Sequence, residues 1–190
     1  MRVYTRKGDD GSTGLLYGGR VSKASPAIEA TGAIDEAQAA LGVVRAEAAA
    51  GSELDAVLVG LERDLYVAMA ETATAGANRA RLVAGSTLVT PAMVAALEPV
   101  IDDLSARFPP LADFVIPGQG RVPALLDVAR TTIRRAERLV VAAQERDQAT
   151  AGGDQAPASL VGAYLNRLSD LVWTMARWQE QGDSMLSREA

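Results

Sequence analysis

Between Thr5 and Gly14 the chain reads Thr-Arg-Lys-Gly-Asp-Asp-Gly-Ser-Thr-Gly, with glycines at 8, 11 and 14. Glycine at every third position lets successive backbone N–H groups turn inward around an anion. Thr5, Ser12 and Thr13 add hydroxyl donors, and Lys7 and Lys23 add ammonium charges. No Gly-Lys-Ser/Thr triplet opens a helix here, so this is not a Walker A loop. Of the 19 basic residues only Lys7 and Lys23 are lysines, and both flank this loop. That bias suits a need for a compact ammonium rather than a planar fork. A flexible glycine-rich arm with solvating charges is the other reading of the same residues.

A second constellation is Arg130-Thr-Thr-Ile-Arg-Arg-Ala-Glu-Arg138, four arginines with a single acid among them. At about 100° per residue, Arg130, Arg134 and Arg138 drift slowly along one helix face. With the core stripe read as Leu125, Val128, Thr132, Ala136, Leu139 and Ala143, that basic face points away from the subunit's own core. The arginines repel one another unless a polyphosphate or a partner's carboxylates answer them. A solvated helix face accounts for the same run. Further on, Asn166, Asp170, Trp173 and Arg177 mark a polar stripe opposite Leu168, Val172 and Met175. Asn is mildly unfavourable at mid-helix and so invites a role. Asp35 and Glu36 are adjacent and cannot share a helix face, which excludes a paired-carboxylate catalyst but leaves either free to meet an arginine of a neighbouring chain.

The elements that must position these residues are helical. Residues 1–24 read as a loop or short strands; after them apolar residues recur at helical spacing almost everywhere. Ser25-Pro26 is a cap-and-proline start for a first helix (Ile34, Ala37, Leu41, Val44) that ends at Gly51. Leu54, Leu58, Leu61, Leu65, Ala68 and Thr72 mark a second, which fades at Gly76 into a loop holding Arg79 and Arg81. Thr90-Pro91 starts a third (Val94, Leu97, Ile101, Leu104, Phe108), stopped by Pro109-Pro110. The apolar connector Phe114–Gly118 precedes the arginine helix, the fourth; a small, polar stretch at 147–158 leads to the fifth (Val161, Leu165, Leu168, Val172, Met175, Trp178). These spacings predict an all-α, up-and-down five-helix bundle behind an N-terminal glycine-rich loop, one domain over residues 1–190 with the helices in 25–187.

Composition narrows the chemistry. The chain has no cysteine and no histidine, which removes disulfides, thiolate and imidazole metal ligands, and every His-containing triad. A net charge of −5 is the wrong sign for a dedicated nucleic-acid binder, and 4% aromatic residues are too few for a base-stacking platform. No apolar run is long enough to cross a membrane, and Met1–Lys7 lacks the apolar core of a signal peptide, so a soluble, cytoplasmic protein is expected.

Taken together, Tyr4–Gly14, Arg20-Val-Ser-Lys23, Ala33-Ile-Asp-Glu36, Phe114-Val-Ile-Pro-Gly118, Ala129–Arg138 and Tyr164-Leu-Asn-Arg-Leu-Ser-Asp170 resemble the PduO-type ATP:cob(I)alamin adenosyltransferases, in that family's order. The arginine-rich and Leu-Asn-Arg-Leu-Ser-Asp segments are the specific ones. The resemblance implies a homotrimer that binds ATP between subunits, with residues 1–24 as the nucleotide-binding loop. It implies ATP contacts at Thr5, Arg6, Lys7, Gly8, Thr13, Gly14, Lys23, Arg134, Arg135, Ala136, Glu137, Arg138 and Asn166. Arg130 would contact phosphate and pair with Asp35 across the interface, and Phe114 would lie beneath the corrin, keeping cobalt free of its lower ligand. Lys7 stands where the family often has a small or hydroxyl residue.

The implied reaction is attack of cob(I)alamin on the 5′ carbon of ATP, assisted by Mg²⁺, giving adenosylcobalamin and tripolyphosphate; an adenosylcobalamin-dependent acceptor enzyme is the implied recipient. Co(I) is itself the nucleophile, so the absence of histidine and cysteine is no obstacle. Arg130, Arg134 and Asp35 are the expected catalytic set. An ATP-responsive corrinoid carrier, or a nucleotide-binding helical module without catalysis, would show the same binding residues.

Overall fold

The computed structural model describes residues 4–150 and 158–188. Six helices and one two-stranded sheet make up the fold: β1 (Ser12–Gly14), β2 (Arg20–Ser22), α1 (Pro26–Glu47), α2 (Glu53–Thr72), a 3₁₀ turn (Gly76–Arg81), α3 (Pro91–Ala95), α4 (Leu97–Ser105), α5 (Arg121–Thr150) and α6 (Val161–Glu180). The fourth and fifth helices expected from periodicity are α5 and α6. Of the 147–158 stretch, residues 151–157 lie outside the described ones.

α5 is the central rod, packed along α1 on one side and α6 on the other, while α2 leans on α1 and α4 on α6. The expected stripes of α1 (Ile34, Ala37, Leu41, Val44), α2 (Leu54, Leu58, Leu61, Leu65, Ala68) and α6 (Val161, Leu165, Leu168, Val172, Met175) are all buried. Each such Leu or Val contributes about 1.5–3 kcal/mol on leaving water. Two caps act as the residue types predict: Ser52 Oγ accepts from Asp55 N at 3.2 Å and Thr90 Oγ1 from Met93 N at 3.2 Å.

Four expectations are corrected. Ser25 occupies the cap position of α1, but its hydroxyl caps nothing and is buried without a partner among the described residues. That helix ends at Glu47, before Gly51, which supplies a left-handed turn (φ 74°) between α1 and α2. The third helix is broken at Ala96 into α3 and α4, because Pro99 has no N–H to offer the carbonyl of Ala95 and its ring crowds that group. Finally, the buried stripe of α5 is Leu126, Ala129, Ile133, Ala136, Val140 and Ala143, whereas Val128 is 56% exposed. The two stripes share Ala136 and Ala143 and differ by one residue in phase at the other four positions. Arg130 therefore lies at the edge of the core rather than opposite it.

Candidate functional site

β1 and β2 pair antiparallel, with Ser12 opposite Ser22, Thr13 opposite Val21 and Gly14 opposite Arg20. Their sharp connection uses left-handed backbone at Tyr17, Gly18 and Gly19. Before the hairpin, residues 6–11 form tight turns, closed by Asp9 N to Arg6 O at 3.4 Å and Gly11 N to Gly8 O at 3.2 Å. Asp10 takes the Ser12 N–H at 2.9 Å and the Ser12 hydroxyl at 2.8 Å, which together hold its carboxyl below the usual range. Arg20 reaches back to the Lys7 carbonyl and to Ser12. A side chain at Gly8 would meet the Lys23 ammonium at 3.1 Å and the Ser12 carbonyl at 3.1 Å. Glycine here leaves room for Lys23 to fold down over the loop without being pushed aside. Thr5, Arg6, Lys7 and Lys23 are exposed and Gly8 and Thr13 half-buried, so the expected anion ligands share one polar surface.

This loop is anchored by residues that sequence reasoning left in an ordinary connection. Leu16 N donates to Ala73 O at 2.9 Å, and Arg81 donates to Tyr17 O at 3.0 Å while its guanidinium lies 4.6 Å over the Tyr17 ring. The Tyr17 hydroxyl meets Thr87 Oγ1 at 3.3 Å. The connection is itself held by Glu71, buried at the end of α2, which pairs with Arg79 at 2.9 Å and accepts the Val89 N–H at 2.8 Å. The only sequence trace of this anchor is two arginines two positions apart, shortly after Gly76.

On α5, Arg134 and Arg138 are exposed and make no ion pair among the described residues; Arg130 is half-buried and its Nε lies 3.3 Å from Asp127. Arg135 pairs with Glu36 of α1. Asn166 Nδ2 of α6 donates to Glu137 Oε1 at 2.9 Å, joining the two expected motifs into one polar surface. Ala136 turns into the core and is fully buried. Arg177, read from spacing as part of an exposed polar stripe, is instead 2% exposed, paired with Asp127 at 2.6 Å and Glu180 at 3.0 Å. A partner fifty residues earlier in the chain could not be seen from local spacing.

The hairpin's bonds run to the 73–87 connection, and no hydrogen bond or ion pair among the described residues joins it to the arginines of α5. Among the described residues of one subunit, no such bond links the two halves of the expected nucleotide site. Asp35 is exposed and makes no ion pair among the described residues; with Gln38, Ala39, Glu62 and Tyr66 it lines a shallow groove of about 270 Å³ between α1 and α2.

Phe114 stands 82% exposed, an unusual position for so large an apolar ring. The chain after α6 fixes its backbone: Ile116 N donates to Met185 O at 2.8 Å, and Ser187 N to Phe114 O at 2.8 Å. Ile116 (45% exposed) and Met185 (42%) extend the apolar surface.

The family model for cobalamin adenosyltransferase matches residues 3–179. A corrinoid adenosyltransferase of Citrobacter freundii is 37% identical over 183 residues, covering 94% of this chain and 95% of that one. One from Mycobacterium leprae is 36% identical over 188 residues, covering 98% and 95%. A phenylalanine-to-alanine variant of the PduO-type ATP:corrinoid adenosyltransferase of Lactobacillus reuteri, solved with cobalamin and ATP, superimposes with a TM-score of 0.81 at 27% identity, covering 99% of this chain and all of that one. A match of this extent leaves one conclusion: the chain belongs to the cobalamin adenosyltransferase family.

Proposed function

We propose that the protein transfers the 5′-deoxyadenosyl group of ATP to cob(I)alamin. The cobalt–carbon bond forms as the C5′–oxygen bond breaks, and tripolyphosphate leaves with the electron pair. The observation that carries the reading is the uncompensated pair on α5: Arg134 and Arg138 meet no acid among the described residues, whereas their neighbours Arg130 and Arg135 are each paired. Cations that are fixed before the reaction stabilise charge as it builds on the departing phosphates.

Lys7, Lys23 and the turn N–H groups of the hairpin supply the other wall of the triphosphate site, with Thr5, Arg6, Gly8, Thr13 and Gly14 lining it. Arg135, Glu137, Arg138 and Asn166 continue it along α5 and α6. Because the hairpin is tied to the 73–87 connection, we place the site between copies, the hairpin of one closing on α5 of the next in a homotrimer. Two features support that assembly. Asp35 awaits a cation in an acid-lined groove, which the neighbouring copy's Arg130 would fill. Val43, Tyr66, Val128 and Val141 are apolar and between 41% and 65% exposed on helices that a neighbour would cover.

Among the described residues no group of three or more Asp or Glu could cage a metal ion. We infer that Mg²⁺ would come with the nucleotide, where its charge would offset that of the triphosphate. Phe114 offers its face to the corrin where a lower axial ligand would otherwise sit, and no histidine of this chain can replace that ligand. No described helix is long and apolar enough to cross a membrane. We place the reaction in the cytoplasm, where ATP is at hand, with an adenosylcobalamin-dependent enzyme as acceptor of the product.

The test is an anaerobic assay with ATP and chemically reduced cobalamin. Adenosylcobalamin and tripolyphosphate should appear in equal amounts and only with reductant. ATP binding without either product would leave a carrier or a binding module.

A further inference from the structure

Asp127 is 6% exposed, and a carboxylate so placed has to be paired from within. Its Oδ2 accepts from Arg177 Nη2 at 2.6 Å; the same nitrogen reaches Glu180 at 3.0 Å, and the Arg177 guanidinium lies 5.8 Å from the Trp173 ring. Its Oδ1 lies 3.3 Å from Arg130 Nε. One carboxylate therefore links a guanidinium locked in the core, 2% exposed, to one at the surface whose side chain is 29% exposed. With Nε engaged, the terminal nitrogens of Arg130 have no partner among the described residues.

We propose that Asp127 and Arg177 are positioning residues that fix the rotamer of Arg130 before the nucleotide arrives. Resting on the phosphate role given to Arg130 above, this extends it to two residues that touch no substrate. Arg177 is wedged among Asp127, Glu180 and Trp173 and cannot swing, so Asp127 cannot either. Arg130 then keeps one orientation instead of sampling several, and the transition state does not bear the cost of aligning it. A pair that merely fastened α5 to α6 would not need its second oxygen on Arg130.

The experiment compares Asp127→Asn, Arg130→Ala and the double variant in the intact oligomer, as kcat/KM for ATP at saturating reduced cobalamin. Asp127→Asn should lower kcat/KM by about 10- to 100-fold. In the Arg130→Ala background that loss should vanish, because nothing remains to be oriented. If the two losses multiply in full, Asp127 acts elsewhere and the proposal is overturned while the role of Arg130 stands. If Arg130→Ala alone leaves kcat/KM unchanged, the phosphate role falls and takes the proposal with it. Where Asp127→Asn does not fold, Arg177→Lys keeps a cation in the core. Its loss should likewise vanish beside Arg130→Ala, and a loss of equal size in both backgrounds overturns the proposal.

Discussion

Arg134→Ala separates stability from catalysis because of where the side chain stands. It is exposed on α5 and pairs with no acid among the described residues, so removing it breaks nothing that holds the fold. A surface change of this kind moves stability by about 0.5 kcal/mol or less, and alanine is a good helix former. The thermal midpoint and the size of the oligomer should stay where they are. In the proposed reaction the same residue would face the growing charge of the leaving triphosphate. Losing one preorganised donor there costs about 3–4 kcal/mol, or about 10²- to 10³-fold in rate. The assay is anaerobic conversion of chemically generated cob(I)alamin, followed by its optical spectrum and by tripolyphosphate release. Arg134→Lys should recover part of the loss, since it restores the charge but not the planar fork. Wild-type turnover by Arg134→Ala would refute the reasoning, and so would a lost rate that merely tracks a lost fold.

Phe114→Ala should bind ATP as the wild type does yet fail to produce the spectrum of four-coordinate cob(II)alamin; an unchanged spectrum counts against the ring's proposed position. Glu71→Gln leaves half-buried Arg79 and the Val89 N–H with a neutral partner and should destabilise by about 1–3 kcal/mol in urea unfolding, through the connection that anchors the hairpin. Tyr164 donates its hydroxyl to half-buried Asp64 at 2.9 Å, and burial raises the Asp64 carboxyl above its ordinary 3.8. With its folded pKa raised, Asp64 binds its proton more tightly in the native state, so its contribution to stability falls as pH rises through and above 3.8. Tyr164→Phe removes the donor that offsets this and should cost about 1–3 kcal/mol at pH 7. The gap should narrow as the pH falls and Asp64 protonates; a gap independent of pH would show that the hydroxyl does not serve the carboxylate.

Most of the helical framework could be read from spacing, because α1, α2 and α6 each bury one stripe and expose polar residues elsewhere. α5 could not be phased that way. Leu125, Val128, Thr132 and Leu139 keep the same spacing as Leu126, Ala129, Ile133 and Val140, and a helix with apolar residues on more than one face offers two stripes to choose between. The break at Ala96 was written in Pro99 all along, but the apolar pattern runs through it without interruption. Residues that would meet an anion were visible by type: Lys23 does fold over Gly8, and Asn166 does meet Glu137. What stayed hidden were the supports, since Arg81 finds Tyr17, and Arg177 finds Asp127, only through the fold. Periodicity reports which side of a helix is dry. It does not report which distant acid neutralises an arginine on that side.

The claim beneath the whole account is that the glycine-rich hairpin of one copy and α5 of its neighbour build a single triphosphate site. Mixed oligomers test it directly: a Lys7→Ala/Lys23→Ala chain is co-expressed with an Arg134→Ala chain, each inactive alone, and assemblies carrying both tags are assayed. In a ring of three that carries both chains one site in three joins an intact hairpin to an intact α5, so about a third of the wild-type rate should return. Mixed oligomers that form and yet stay inactive would place both halves of the site within one subunit and contradict the account.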